Sequence, residues 1–206
     1  MIVMKRTGMI AALAAVSLTL GGCISLGGGE PPESLLTLSP IAGEAPDGVA
    51  QAAEDKGAIA IITPDVPAKL DVLRVPVAVS DTEIAYLQEA FWVEKPARLF
   101  RRLIGESLRR ADQGALVFDG EDLPNLPKHQ LRGTLLDMTY VAGESAVVVR
   151  YDAIYSDGDG KITTRRFEAR EEGVLPQARD VGPALNRVSN TVADEAAAWV
   201  LQQIHR

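Results

Sequence analysis

The feature that most constrains the fold is a run in the second half of the sequence in which every second residue is apolar. Between Ala146 and Tyr155, every second residue belongs to one apolar set: Val147, Val149, Tyr151, Ala153 and Tyr155. A period of two is typical of a β-strand that buries one face. The run 156–160, SDGDG, predicts a turn, and the more polar run 161–170 predicts a returning strand. We expect an antiparallel hairpin whose solvent face is charged through Arg165, Glu168 and Arg170.

Two helices are predicted to pack on this sheet. In Ala97–Arg110, apolar side chains recur at helical spacing, and an acid and a proline, Glu94 and Pro96, stand at the predicted start. The apolar set is Leu99, Phe100, Leu103, Ile104 and Leu108. The second helix, of roughly 24 residues, closes the chain, with Asp180 as its cap and Pro183 in its first turn. Its apolar side is formed by Leu185, Val188, Val192, Ala196, Trp199, Val200 and Ile204.

Further strands are predicted upstream of the hairpin, at 34–39, 58–63, 71–79, 115–118 and 129–141. Mixed strands and helices with one meander predict an α+β fold: a mixed, largely antiparallel sheet packed by two main amphipathic helices. Residues 34–206 are expected to form a single domain.

The charge and the cysteine content exclude several functions. The formal net charge is −7 at pH 7, which disfavours nucleic acid as a partner because phosphate neutralisation dominates such binding. Cys23 is the one cysteine of the chain, so no disulfide and no multi-thiolate metal site can form within it.

The N-terminal segment has the pattern of a secretory signal. A basic start, Lys5 and Arg6, precedes an apolar stretch that ends in small residues before Cys23. Leu20-Gly21-Gly22-Cys23 resembles the lipobox of bacterial lipoproteins, in which the thiol is acylated and the signal removed. We expect residues 1–22 to be a signal peptide and 23–33 an acylated cysteine with a short flexible tether. An ordinary secreted protein is the alternative.

Residues that could carry catalysis or hold a cofactor are sparse. His129 and His205 lack metal-ligand spacing and are expected to be solvated. Asp157-Gly158-Asp159-Gly160 lacks the acids that a calcium loop needs at its first and last positions. No nucleophile elbow or phosphate-binding glycine loop is present. We therefore expect no enzyme activity and no cofactor beyond covalent lipid on Cys23.

Two groups of residues are candidates for a partner interface. The polar side of the first predicted helix carries Arg98, Arg101, Arg102 and Arg109. Such arginines can bind an acidic partner or a lipid head group, although a solvated helix face is the alternative. Tyr86, Phe91 and Trp92 form an aromatic cluster. Aromatic residues are enriched in interfaces and equally in ordinary cores.

The stretch from Ala68 to Arg110 resembles the ABC-type transport auxiliary lipoprotein family, which includes the paraquat-inducible protein C type. The matching features are Leu70-Asp71, an alternating strand from Leu73 to Val79, Tyr86, Trp92, Glu94, Pro96 and the amphipathic helix that follows. One residue, Lys95, separates the acid from the proline, which the family usually has adjacent. The lipobox and the C-terminal helix with Trp199 also fit.

The resemblance implies a role in lipid transport across the bacterial envelope. Family members are outer-membrane lipoproteins that face the periplasm and dock MCE-domain proteins, which work with a permease and an ATPase. Ile24 and Ser25 follow Cys23, where inner-membrane lipoproteins tend to have an aspartate. Because the family's partners are rings, a homo-oligomeric ring is one oligomeric state to test. The alternatives are a lipoprotein of cell-wall synthesis or polysaccharide export, a soluble lipid carrier and, least favoured, a hydrolase.

Overall fold

The computed structural model describes residues 34–43, 58–112, 116–120 and 126–205. In chain order the elements are β1 (Ala58–Ile61), β2 (Arg74–Ser80), β3 (Glu83–Phe91), α1 (Pro96–Ala111), β4 (Leu116–Phe118), β5 (His129–Val141), β6 (Ala146–Ser156), β7 (Ile162–Glu172) and α2 (Ala178–Ile204). This is an α+β fold with a mixed seven-stranded sheet, as the sequence predicts. The predicted signal peptide and tether, with Cys23, lie outside the described residues.

The sheet is organised around the long strand β5. One side of β5 pairs with β6, which pairs with β7, and both pairings are antiparallel. The other edge of β5 pairs with two strands, β1 and β2. Its start pairs in parallel with β1, which continues to β4, and its end pairs in parallel with β2, which continues to β3 in antiparallel. The hairpin predicted from 146–170 is therefore confirmed, while the first half of the chain supplies the parallel pairings.

A β-bulge in β5 changes which residues face the core. Leu135 pairs with Tyr151, but Asp137 pairs with the next residue, Arg150, so that Leu136 is the extra residue. Leu131 and Leu135 point into the core before the bulge, and Met138 and Tyr140 do so after it, since all four are buried. An inserted residue reverses the alternation of a strand. The bulge thus directs the carboxylate of Asp137 to the face opposite the core.

Both helices contribute to one hydrophobic core on one face of the sheet. Aromatic rings fill much of it. The ring of Phe100 meets that of Tyr151 edge-on at 5.3 Å, and Trp199 meets Tyr155 and Phe167 at 6.3 and 5.8 Å. Such edge-on pairs contribute roughly 0.5–1.5 kcal/mol each beyond the area that they bury. This packing explains why the apolar sides predicted for both helices are buried.

Residues 34–43 lie against α2 and the end of β3. The amide N–H of Leu36 donates to the carbonyl oxygen of Phe91 at 2.7 Å. Asn190 on α2 accepts a hydrogen bond from the amide of Ile41 at 3.0 Å and donates one to the carbonyl oxygen of Ser39 at 3.0 Å. The segment predicted as a strand at 34–39 forms a single bridge instead, because side-chain amides of α2 take up its backbone groups.

The predicted element boundaries need two further corrections. Strand β3 was not expected, because its alternation is interrupted by Glu89, which has a left-handed backbone with φ of 57°. Helix α2 begins earlier than predicted, since Gln177 is its N-cap residue, Asp180 lies in its first turn and Pro183 lies inside it. The carboxylate of Asp180 still lies near the positive end of the helix dipole.

Candidate interaction face of the sheet

The face of the sheet opposite the core carries no helix in the described part of the chain. We call it the open face. Strand registers place the following side chains on it: Arg74, Pro76 and Ala78 on β2; Ile84, Tyr86 and Phe91 on β3; Asp137, Thr139 and Val141 on β5; Val148, Arg150, Asp152 and Ile154 on β6; Thr164, Arg166, Glu168 and Arg170 on β7. Positive and negative groups alternate across the strands, which makes this face unlike the acidic chain as a whole.

A row of ion pairs crosses the open face from β5 to β7. The guanidinium of Arg150 donates to Asp137 Oδ2 at 2.6 Å and to Glu168 Oε2 at 2.6 Å. The ammonium of Lys69 reaches the other oxygen of Asp137. The bulge at Leu136 is what makes this row possible, since Asp137 would otherwise face the core. The row holds the long side chains of three strands in one geometry.

A second row lies beside the first. Arg166 donates to both carboxylate oxygens of Asp152, at 2.6 and 2.7 Å, which is the fork geometry that suits arginine. The hydrogen bond from Arg166 lowers the pKa of Asp152, and the hydrogen bond from Arg150 lowers the pKa of Glu168. Off this face, the hydrogen bond from Arg187 on α2 lowers the pKa of Glu171.

These lowered pKa values predict that acid destabilises the fold. A carboxylate whose pKa is lower in the folded chain adds stability above its unfolded pKa, and this stability is lost as the pH falls through the folded pKa. The free energy of unfolding should therefore be higher at pH 7 than at pH 3. Glu168→Gln should reduce that difference by about 0.5 kcal/mol, a small value because the pair is solvent-screened.

Urea unfolding at both pH values measures this effect. Glu195→Gln, which removes an exposed carboxylate of α2, is the control and should leave the difference unchanged. An equal pH dependence for Glu168→Gln and the unmodified chain would contradict the prediction.

A depression of about 190 Å³ opens at the centre of this face. Arg150 and Arg170 line it together with Asp137, Glu144 and Glu168 and with apolar neighbours. Thr139 also lines it but is 2% exposed, and its buried hydroxyl has no hydrogen-bond partner among the described residues. Because charged and apolar side chains of several strands line the depression together, it suits a partner segment of mixed polarity.

Arg74 occupies the β2–β3 side of the open face. The central carbon of its guanidinium lies 5.2 Å from the ring centroid of Tyr86 and 5.7 Å from that of Phe91. Its Nε is buried without a hydrogen-bond partner, and Arg74 has no ion pair with any described residue. Cation–π contacts on two sides fix the position of this guanidinium. The sequence pattern indicated the two aromatic residues but not the arginine between them.

The other predicted interface residues are placed differently. Trp92 is 1% exposed and lies in the core, and Arg101 is 6% exposed and donates to the hydroxyl of Thr63 at 2.6 Å. Both residues therefore lie in the interior and not at the surface, where a partner interface would need them. The buried position of Arg101 follows from the neighbouring segment after β1, which covers this side of α1 and supplies the hydroxyl.

The remaining arginines of α1 form polar contacts with other residues. Arg102 pairs with Glu94 at 2.7 Å. Arg109 pairs with Asp119 at 2.8 Å and with Glu106 at 2.7 Å. Arg98 is exposed and also has a polar contact. The arginine side of α1 is thus tied largely to the chain itself, and its role as a partner interface stays a prediction.

The structure also tests two predictions about polar residues, one at His129 and one at the turn 156–160. His129 is half-buried rather than solvated, and its Nδ1 and the hydroxyl oxygen of buried Tyr155 share a hydrogen bond of 2.6 Å. The run 156–160 forms a turn, as predicted, in which Asp157 Oδ1 accepts backbone N–H bonds from Asp159 and Lys161. Within the described ranges, no cluster of three or more His, Cys, Asp or Glu side chains can hold a metal ion.

The sequence pattern also misplaces one residue of the predicted charged face of the hairpin. Glu168 and Arg170 lie on the open face as predicted, but Arg165 lies over the ring of buried Phe167, 5.0 Å from its centroid. Arg165 therefore belongs to the helix-covered side of β7, where its long side chain covers apolar surface.

A family model described as ABC-type transport auxiliary lipoprotein component matches residues 37–197. The chain belongs to this family. The match spans both helices up to Ala197 and the whole sheet, and it confirms the resemblance seen in the sequence. The family description identifies the chain as an auxiliary lipoprotein component of ABC-type transport. No curated protein sequence matches it.

Solved structures share the fold of the auxiliary lipoprotein component at low sequence identity. Protein XCC0632 from Xanthomonas campestris is 14% identical, with a TM-score of 0.60, and the alignment covers 82% of this chain and 96% of that one. An uncharacterized protein is also 14% identical, with a TM-score of 0.61, covering 73% and 95%. At these identities the likeness shows the fold alone. None of the described helices combines the length and the apolar character that crossing a bilayer requires.

Proposed function

We propose that this chain is a lipid-anchored, non-enzymatic docking subunit of an ABC/MCE-type lipid transport system. Acyl chains on Cys23 hold it at the outer membrane, facing the periplasm. The open face then binds the periplasmic MCE-domain protein. The proposal extends the family assignment, which gives an auxiliary lipoprotein of ABC-type transport, to one partner and one membrane.

The observation that carries the proposal is the open face itself. Its ion-paired rows fix side chains from three strands, and two aromatic rings hold the guanidinium of Arg74. A polar surface whose side chains are already held in place suits binding to another protein, because little side-chain entropy remains to be lost on association. An arrangement for catalysis would instead bring a nucleophile and a base together.

The placement of residues 34–43 supports an anchoring role. Ser39 and Ile41 are bonded to Asn190 of α2, so a pull from the N-terminal side is transmitted to the core. The preceding tether, residues 23–33, would reach on the order of 20 Å as a coil. A domain anchored in this way stays close to the membrane surface, where it can meet a partner that spans the periplasm.

Co-purification tests the proposal. The full chain, tagged at its C-terminus, is isolated from envelopes solubilised in mild detergent, and the bound proteins are identified by mass spectrometry. We expect an MCE-domain protein together with its permease and ATPase. Repeated failure to recover any MCE-domain protein, under conditions in which the transporter's own subunits stay together, would count decisively against the proposal.

A further inference from the structure

We propose that Arg74, held between Tyr86 and Phe91, is a docking point for a carboxylate on a protein partner. The partner segment would be acidic at one residue and apolar beside it. The inference deepens the docking role proposed above and rests on it only for the identity of the partner.

The guanidinium of Arg74 is positioned but not satisfied. Two aromatic rings hold it, at 5.2 and 5.7 Å, and its Nε has no hydrogen-bond partner among the described residues. Guanidinium groups prefer planar oxyanions, which accept two parallel N–H bonds. Because the rings have already restricted the side chain, binding a carboxylate costs little further entropy. Arginine and tyrosine are also the residue types that dominate binding energy at protein interfaces.

The backbone of β3 is shaped so that both rings reach the same arginine. Pro76 pairs with Tyr86, whereas Arg74, two positions earlier on β2, pairs with Phe91. The additional residues of β3 form a bulge that includes Glu89 in the left-handed region. A non-glycine residue in that region costs about 1 kcal/mol or more. The strained bulge brings Phe91 back over Arg74, and such features are concentrated at functional sites.

The surroundings favour a protein segment over a membrane surface. Binding to anionic lipid requires a cluster of basic residues, whereas Arg74 is the one basic residue of β2 and β3 and the chain has a net charge of −7. On the same face, Pro76 and the rings of Tyr86 and Phe91 lie next to Arg74, and Ile84, which is 43% exposed, lies farther along β3. One cation within an apolar surface complements one carboxylate flanked by apolar side chains.

An NMR titration tests the inference. The acylated full chain, labelled with ¹⁵N in detergent micelles, is titrated with the capped peptide acetyl-Leu-Glu-Leu-amide while the Nε–H signal of Arg74 is followed. The matched probe is acetyl-Leu-Gln-Leu-amide, which lacks only the charge. We expect the glutamate peptide to shift the signal saturably and the glutamine peptide to leave it in place.

Variants separate this site from general charge effects. Arg74→Gln should weaken binding of the glutamate peptide by about tenfold or more. Arg74→Lys keeps the charge and should still weaken binding, because the planar fork is lost. Arg179→Gln removes an exposed arginine of α2, away from the open face, and should leave the affinity unchanged. Circular dichroism and the melting temperature of each variant confirm that it is folded before it is titrated.

Three results would overturn the inference. They are equal binding of the two peptides, an equal loss of affinity in Arg179→Gln, or a shift caused by phosphatidylglycerol vesicles or inorganic phosphate but not by the glutamate peptide. The titration contains no transporter component. Its failure therefore leaves the proposed transport role standing, and failure of the co-purification leaves the titration standing.

Discussion

Replacing Cys23 with serine should move the whole population of the chain from the membrane fraction to the soluble fraction. Serine has no thiol to receive diacylglycerol, and each methylene buried in the bilayer contributes about 0.8 kcal/mol to anchoring. The chain has a net charge of −7, which gives no attraction to anionic lipid. Loss of the acyl chains therefore removes the main source of membrane affinity.

Fractionation of cells expressing either chain measures this effect. Ser25→Ala, which leaves the thiol intact, is the matched control and should stay with the membranes. Intact mass measurement of the membrane-bound chain should give an N-terminus at Cys23 carrying acyl mass. Retention of Cys23→Ser in membranes after a carbonate wash would show that another part of the chain anchors it.

Gly133→Ala should cost about 3 kcal/mol or more of unfolding free energy. A Cβ at this position would lie 2.1 Å from the carbonyl oxygen of Asp152 and 2.8 Å from the ring of Tyr151. The carbonyl oxygen is part of the adjacent strand β6, and the Tyr151 hydroxyl is bonded to the carbonyl oxygen of Arg132 at 2.9 Å. Neither neighbour can move without disrupting the pairing of β5 with β6.

Urea unfolding monitored by circular dichroism measures this loss as a lower midpoint at unchanged slope. Gly143→Ala is the matched control, because nothing lies within 4 Å of the Cβ that it would add. Its stability should stay within about 0.5 kcal/mol of the unmodified chain. Equal stabilities for the two alanine variants would mean that β5 and β6 are not packed as described.

Elements with an uninterrupted pattern were predictable from the sequence. In β6 every second residue from Val147 to Tyr155 is apolar and buried, and α1 repeats its apolar residues at helical spacing. In both cases the local period alone determines which face is buried. Strand β3 was missed because the left-handed residue Glu89 interrupts its alternation.

The open face was harder to predict because it depends on contacts between distant segments. Asp137 faces Arg150 only because Leu136 is an extra residue in β5, and the sequence contains no local sign of that bulge. Likewise Arg109 was a candidate for a partner, but its charge is met by Asp119, which follows β4. Helical spacing shows which residues share a face of a helix and not which neighbouring segments approach that face.

The position of Arg74 illustrates the same limit. Tyr86 and Phe91 stand out in the sequence as aromatic residues, yet what they surround is decided by the irregular pairing of β2 with β3. A regular hairpin would have placed Phe91 far from Arg74. The residue that makes this cluster a candidate for binding was therefore visible only in the folded chain.

Co-purification of two glutamate variants tests whether the open face docks the transport assembly. Ile154→Glu changes a residue of the open face that is 40% exposed, and Thr191→Glu changes an exposed residue of α2. With both variants folded and membrane-bound, Ile154→Glu should lose the MCE-domain protein while Thr191→Glu retains it. Full recovery with Ile154→Glu, or loss with Thr191→Glu alone, would contradict docking by the open face.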